Sequence, residues 1–265
     1  MYRKLKALLC VLGLLAVCFA PSGQAVGRSV PAQADGSLLA GTSYLDGGVT
    51  YVPLRSLLDA FGGWSLRWDA QTQTATAVSG SGSLQADPGR NRLRVGNRSL
   101  SGKVWVENGR TYVPLRLLTE ALGGSVAWDR WLGGAAIRSP GAEFDPSDLY
   151  WLSRIISAES RGESLEGQIA VGNVVLNRVE STAFPDSVPA VIFDARDAIQ
   201  FEPVSNGTLW LAPTAQSVEA ARQALRGVNT AGAALYFYAP ALSQGLWINA
   251  NRTYSKTIGC HRFYL

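Results

Sequence analysis

One unit occurs twice in this chain, and that repetition constrains the fold more than any other feature. Residues 48–69 read GVTYVPLRSLLDAFGGWSLRWD and residues 109–129 read GRTYVPLRLLTEALGGSVAWD. The hexapeptide TYVPLR recurs at residues 50–55 and 111–116. A glycine pair recurs at Gly62-Gly63 and Gly123-Gly124, and a Trp-Asp pair at Trp68-Asp69 and Trp128-Asp129. In each copy a short β-prone run meets a proline, which fixes φ and cannot donate to a ladder. An amphipathic run of two to three turns follows, the glycine pair stops it, and a second β-prone run returns to Trp-Asp. Self-similarity of this kind predicts one structural unit used twice. Residues 84–106 add alternating strands, with turn signals at Asp87-Pro88-Gly89 and, just beyond, at Asn108-Gly109. Residues 36–139 are expected to form one α+β domain with internal duplication and antiparallel strands. Arg55 and Arg116 are expected to pair with Asp69 and Asp129, with ligand binding as the alternative. Arg90, Arg92, Arg94 and Arg98 interleave with Leu93 and Val95 and read as the solvated face of one strand, with contact to an anionic polymer as the weaker alternative.

The pattern changes after a short boundary, SPGAEFD at residues 139–145. Residues 145–161 predict a helix with Asp145 as N-cap, Pro146 in the first helical position and Asp148 in the first turn. At roughly 100° per residue, Leu149, Leu152, Ile155 and Ile156 form one stripe, and Glu159 falls inside it. Arg154, Ser157 and Arg161 are expected on the polar side. Gly162 ends the helix, so Glu159 also lies at the negative end of the macrodipole. Burial and dipole both raise a carboxyl pKa, and a carboxyl still protonated near neutral pH is what a general acid needs. The competing reading is a helix-end residue bent out to water, or half of a structural ion pair. Residues 164–180 are apolar on nearly every side and predict a buried helix, with Gly167, Ala170 and Gly172 allowing a neighbour to approach closely. Residues 213–226 predict a third helix, ended by Gly227. The intervening stretch, 181–211, is too long for a bare connector. Residues 235–238, 246–248 and 262–265 read as strands of a small sheet, with Tyr236 and Tyr238 on one face.

Residues 1–25 read as a secretory signal: Arg3, Lys4 and Lys6 precede an apolar run over residues 8–19, and Gly23-Gln24-Ala25 supplies small residues for cleavage. The apolar run is too short for a typical span, and no other segment qualifies, so no membrane span is expected in the mature chain. The formal charge is +4. Three of those charges fall in the leader, and the +1 that remains gives no nucleic-acid footprint. Cys10 and Cys18 also fall in the leader, which leaves Cys260 alone and no internal disulfide. His261 is the single histidine. A zinc hydrolase normally takes several His or Cys ligands, so neither a metal nor another cofactor is expected. Cys260 and His261 are strand neighbours pointing to opposite faces, which speaks against a thiol dyad.

Residues 149–265 resemble the SleB-type cell wall hydrolases, the spore cortex-lytic group. The matching runs are residues 158–163 (AESRGE), 166–171 (EGQIAV), 175–179 (VLNRV), Gln200-Phe201, 234–238 (ALYFY) and 256–263 (KTIGCHRF). The resemblance implies a mainly helical, lysozyme-like catalytic domain with a small β-sheet over residues 146–265. It also implies peptidoglycan as substrate and one catalytic glutamate, which maps to Glu159. Gln200, Phe201, Tyr236 and Tyr238 are expected to contact the glycan. Glu163 is expected there too, as a second carboxylate, with a first-turn acid of the next helix as its alternative. The first half resembles the domain named after the N-terminal region of copper amine oxidases. That implies a non-catalytic module, without copper because residues 26–140 hold no His or Cys.

The expected activity is cleavage of the MurNAc–GlcNAc bond by a lytic transglycosylase giving 1,6-anhydro products. N-acetylmuramoyl-L-alanine amidase and a non-catalytic wall-binding protein stand as the alternatives. The expected setting is outside the cell, at the wall or in the envelope of a spore. The expected state is a monomer, with a wall-associated protein as a candidate partner.

Overall fold

The computed structural model describes residues 27–196 and 199–265; the leader expected at residues 1–25 lies outside the described residues. In the first half the two TYVP strands, Val49–Pro53 and Arg110–Pro114, pair with each other antiparallel. Val52 stands opposite Val113, its counterpart in the other copy. Each strand runs straight into its helix, α1 (Leu54–Phe61) or α2 (Leu115–Ala121). Each helix leads on to a strand ending in Trp-Asp, Ser65–Asp69 or Ser125–Asp129. The central sheet has five strands in the order Arg28–Val30, Ser43–Asp46, Val49–Pro53, Arg110–Pro114, Trp105–Glu107. A second five-stranded sheet is an antiparallel meander from Ser65–Asp69 to Arg98–Ser101. A third sheet, of four strands, sets Ser125–Asp129 and Gly134–Arg138 beside Ala32–Ala34 and Ser37–Leu38. Leu54, Leu57 and Leu58 of α1 meet Leu115 and Leu118 of α2 in one core with Val52, Val113 and Ile137.

Three expectations about this half need correction. Pairing begins upstream of residue 36, because Arg28–Val30 pairs with Ser43–Asp46 and Ala32–Ala34 lies parallel to Gly134–Arg138. The arginines do not pair with the Trp-Asp carboxylates. Asp69 accepts the backbone amides of Gln71 (2.8 Å) and Thr72 (3.2 Å), and Asp129 accepts those of Trp131 (2.9 Å) and Leu132 (3.0 Å). Each aspartate thus caps its own turn, a local option that competes well with a distant partner. Arg116 instead donates to the Val126 carbonyl at 2.8 Å. The basic cluster also spreads wider than one strand face. Arg92 and Arg94 flank buried Leu93 on one strand, Arg98 lies on the next, and Arg90 pairs with Asp87 in the turn at 2.9 Å.

The second half is built on α3 (Pro146–Ser160) and α4 (Leu165–Glu180). The Asp145 carboxylate accepts the amides of Ser147 and Asp148, and the Ser164 hydroxyl caps α4. The stretch 181–211 carries α5 (Val188–Ile192), α6 (Glu202–Asn206) and a single 3₁₀ turn, Thr208–Trp210. Then follow α7 (Ala215–Leu225), the strand Tyr236–Tyr238, α8 (Leu246–Asn251), and the strands Tyr254–Ile258 and His261–Tyr264. The three strands form an antiparallel sheet with His261–Tyr264 in the middle.

Residues 246–248, expected as a strand, are helical. Gly245 adopts a left-handed φ of 60° and its carbonyl accepts the Asn249 amide, which starts a helical turn. Of the polar side expected for α3, Arg161 just past its end is exposed, but Arg154 and Ser157 are buried. Helix α3 is packed against α4, α5 and α7 and against the first domain, so no face of its middle meets water. Arg154 fits there by laying its guanidinium 3.5 Å over the Tyr150 ring, and desolvation lowers its pKa. Among the described residues no helix is long and apolar enough to cross a membrane.

The two halves meet along α3. The second carboxylate oxygen of Asp129 accepts Trp151 Nε1 at 2.8 Å and Ser147 Oγ at 2.9 Å. Trp131 stacks on Phe193, with ring centroids 4.7 Å apart, and joins the helical core. Arg226 grips Glu143 in the connecting segment through two bonds of 2.8–2.9 Å.

Candidate active site

A cleft of ≈ 880 Å³ opens between the end of α3, the segment around α6, the Tyr236–Tyr238 strand and α8. Glu159 lies at its edge in the last turn of α3. Leu152, Ile155 and Ile156, which precede it on the same stripe, are fully buried and fix the helix end. No described residue donates a hydrogen bond to the Glu159 carboxylate. Desolvation, reinforced by the nearby charge of Glu202, raises its pKa to about 7. The glutamate thus holds its proton near neutrality and faces open space large enough for several sugar-sized groups.

Glu202 came from no sequence signal. It stands in the first turn of α6, directly after Gln200-Phe201, and lines the same cleft. Its only hint was that adjacency, because α6 is a five-residue turn without periodicity.

The floor is organised by α4. Asn173 and Asn177 hold the backbone of residues 228–234: Asn173 accepts the Thr230 amide at 2.8 Å and donates to the Val228 carbonyl at 2.8 Å, while Asn177 donates to Gly232 and Ala234. One residue on, Arg178 donates its Nε to the Leu235 carbonyl at 2.8 Å. Its guanidinium lies among the rings of Phe184 (4.8 Å), Phe201 (5.3 Å) and Tyr236 (5.3 Å). Desolvation lowers the Arg178 pKa to about 10, so it stays cationic at neutral pH. Arg178 was visible in the sequence only as part of the run VLNRV. The far wall stacks Arg252 between Tyr236 (4.5 Å) and Trp247 (4.8 Å), and Arg252 also donates to the Tyr236 hydroxyl at 2.9 Å. The sequence reading missed Arg252 and Trp247, because α8 was read as a strand.

Gln200, Phe201, Tyr236 and Tyr238 all line the cleft with Glu159. Phe201 does so as a buried ring beneath Arg178, with 2 % of its surface exposed. The Tyr238 hydroxyl bonds to Asn249 of α8. Glu163 is not brought to this wall. Its carboxylate turns to the hairpin at residues 259–261, accepts the Cys260 amide at 3.1 Å and lies 3.8 Å from His261 Nδ1. Gly259 is required there: its φ is +55°, and a Cβ would overlap the Glu163 carboxylate. Burial lowers the His261 pKa against the pull of Glu163, so the imidazole stays neutral. Cys260 is exposed, its thiol pushed up by Glu163.

Two family models match the chain: Cell Wall Hydrolase over residues 162–264 and Copper amine oxidase N-terminal domain over residues 34–132. Glu159 lies just ahead of the first matched range. The spore cortex-lytic enzyme of Oceanobacillus iheyensis is 38% identical over 120 residues, which is 45% of this chain and 42% of that protein. The spore cortex-lytic enzyme of Bacillus subtilis is 36% identical over 128 residues, 48% of this chain and 40% of that protein. The chain thus spans less than half the length of these curated relatives. Among solved structures, the catalytic domain of the germination-specific lytic transglycosylase SleB from Bacillus anthracis is 36% identical. That match covers 46% of this chain and 98% of the other, at a TM-score of 0.42. By the two family models, the chain carries a copper amine oxidase N-terminal-like domain over residues 34–132 followed by a Cell Wall Hydrolase domain over residues 162–264.

Proposed function

We propose that this chain cleaves the glycosidic bond between MurNAc and GlcNAc in peptidoglycan, as a lytic transglycosylase. The observation that carries the reading is Glu159, a carboxyl with a pKa of about 7 on the edge of an aromatic-walled cleft. Most glycosidases divide the chemistry between two carboxylates. Muramic acid carries its own nucleophile, the C6 hydroxyl, so one carboxyl can serve twice. The Glu159 proton passes to the glycosidic oxygen as its bond to C1 breaks, and GlcNAc leaves with a free hydroxyl. The Glu159 carboxylate then accepts the C6 hydroxyl proton as that oxygen bonds to C1. The muramyl product is a 1,6-anhydro sugar, no water is consumed, and Glu159 ends protonated.

The other residues serve this step by position. Glu202 makes ionisation of Glu159 harder and so keeps the acid form. Tyr236 and Trp247 offer ring faces to sugar rings. Arg252 places positive charge on the cleft wall beside the carboxylates that peptidoglycan carries on its stem peptides, while buried Arg178 holds the aromatic floor. The setting that follows is the wall or spore cortex, reached by export.

Mass spectrometry of products from vegetative and cortex sacculi tests the reading. Anhydro-muropeptides are expected from the parent chain, and Glu159→Gln should lower their release by about 10²–10⁴-fold. Reducing-end muramic products would make the enzyme a hydrolase, and free stem peptides an amidase. Undiminished lysis by Glu159→Gln would remove Glu159 from the chemistry.

A further inference from the structure

The two copies of the repeated unit have come to do different work, and the difference exposes a second binding site. In the second copy the polar groups are used internally. Arg116 is tied to the Val126 carbonyl and to Glu120, and the spare oxygen of Asp129 holds Trp151 and Ser147 of the catalytic domain. In the first copy the equivalent groups are free. Arg55, the counterpart of Arg116, has no hydrogen-bond or ion-pair partner among the described residues, and Asp69 only caps its own turn. Arg55 lies instead on the rim of a hollow of ≈ 710 Å³.

This hollow sits on the seam between the copies. One side is the start of α1 and the strand Ser65–Asp69, which presents Leu66 and Trp68 from the same face. The other side is the hairpin joining Trp105–Glu107 to Arg110–Pro114. Trp68 is 40% exposed and Val106 is 46% exposed, both in the lining. Arg110 is the second guanidinium with no hydrogen-bond or ion-pair partner among the described residues, and Gln73 and Asn108 add amides. No acidic residue lines the space, although Glu107 stands opposite Arg110 across the hairpin and Asp69 follows Trp68.

We propose that this hollow binds a carboxylate-bearing saccharide, namely the peptidoglycan strand with its stem-peptide carboxylates, as an anchoring site separate from the catalytic cleft. The two guanidiniums, neither held in a hydrogen bond or ion pair among the described residues, offer donors to carboxylate oxygens. The indole face of Trp68 beside Val106 gives a sugar ring and its methyl-bearing substituents an apolar surface, and the amides meet hydroxyl and acetamido groups. The choice of polymer rests on the peptidoglycan reading of the catalytic cleft; the anion-and-sugar character of the hollow does not.

The test uses the full chain carrying Glu159→Gln, sedimented with purified sacculi that are intact, stripped of teichoic acids, or amidated at their carboxyls. Retention should be equal on intact and stripped sacculi. It should fall about tenfold or more on amidated sacculi, and equally when Arg55→Glu and Arg110→Glu are added, as expected for loss of charged hydrogen bonds. Trp68→Ala should weaken retention independently of salt. Arg92→Glu with Arg94→Glu, the same charge change on an exposed strand elsewhere, should leave retention unchanged. In the Glu159 background, the Arg55→Glu, Arg110→Glu chain should still turn over short soluble glycans at the parent rate.

Equal retention of the charge-reversed chain, or an equal loss with Arg92→Glu and Arg94→Glu, would overturn the proposal. So would loss of retention on stripping teichoic acids, which would assign the hollow to a phosphodiester polymer. A lack of anhydro products with retention still dependent on Arg55 and Arg110 would sink the transglycosylase reading and leave the anchoring site standing.

Discussion

Glu159 meets two unfavourable influences when it ionises, desolvation by burial and the charge of Glu202, and no described residue donates to it in return. As a general acid it works in the protonated form, so the rate should fall as pH rises through about 7. Glu202→Gln removes the second influence and lowers the Glu159 pKa. The falling limb of the pH–rate profile should therefore move to lower pH while the maximal rate survives; an unmoved limb would mean that Glu202 does not act on Glu159. The same shift fixes a stability trend. The ordinary glutamate value is 4.5 and the folded value about 7, so the folded chain binds more protons between them. Stability is then fully present below about pH 4.5 and declines as pH rises through 7. Glu159→Gln escapes that decline. Its melting temperature should match the parent's at pH 4 and exceed it at pH 8, by at most about 3 kcal/mol of stability. Glu159 was legible in the sequence because its oddity is local: an acid in an apolar stripe at a helix end. Glu202 and Arg252 were not, because what they do is set by residues far along the chain. Glu163 misled for the same reason, since its partners lie nearly a hundred positions on.

At the scale of elements, the cleft depends on how closely α3 and α4 approach. A Cβ on Gly172 would sit 2.8 Å from Ile156 Cδ1 and 3.4 Å from Ala224 Cβ, so α4 is held between α3 and α7 at glycine distance. Gly172→Val should cost about 1–3 kcal/mol by overpacking. It should also lower kcat, because Ile156 lies one turn before Glu159 on the same stripe. A variant with unaltered melting temperature and rate would show that the helices yield there without strain. The Ser164 and Thr214 caps emerge only in the structure, but the first of the long helices was readable from its Asp145 cap and its stripe, and the second from its apolar run. Residues 246–251 were not, since a short apolar run does not distinguish strand from helix. Its left-handed start at Gly245 decided the matter. The face of α3 was misjudged because a helical wheel assumes one wet side, whereas Ser157 is covered by the segment that leads into α7, its hydroxyl accepting the Thr214 amide.

Across the whole molecule, Asp129 joins what the sequence presents as two domains. One oxygen caps the turn of the repeat and the other holds the Trp151 indole and the Ser147 hydroxyl. Asp129→Ala should leave a buried indole N–H without an acceptor and cost about 1–3 kcal/mol, read as a lower melting temperature of the full chain. Asp69→Ala, which loses only an exposed cap, should cost less. Equal losses would show that the junction contributes nothing to stability. The repeat made the duplicated domain legible, down to its strand–helix–strand order. It could not reveal that identical aspartates acquire different partners, because that depends on which copy lies against α3.

The pairing of Val52 with Val113 has a consequence of its own. Like meets like across that seam, so each TYVP segment is the natural complement of its own duplicate. A polypeptide holding a single copy would keep a bare ladder edge shaped for another identical molecule. Fusing the two in tandem satisfies that edge within one molecule, and self-association through it is thereby closed off.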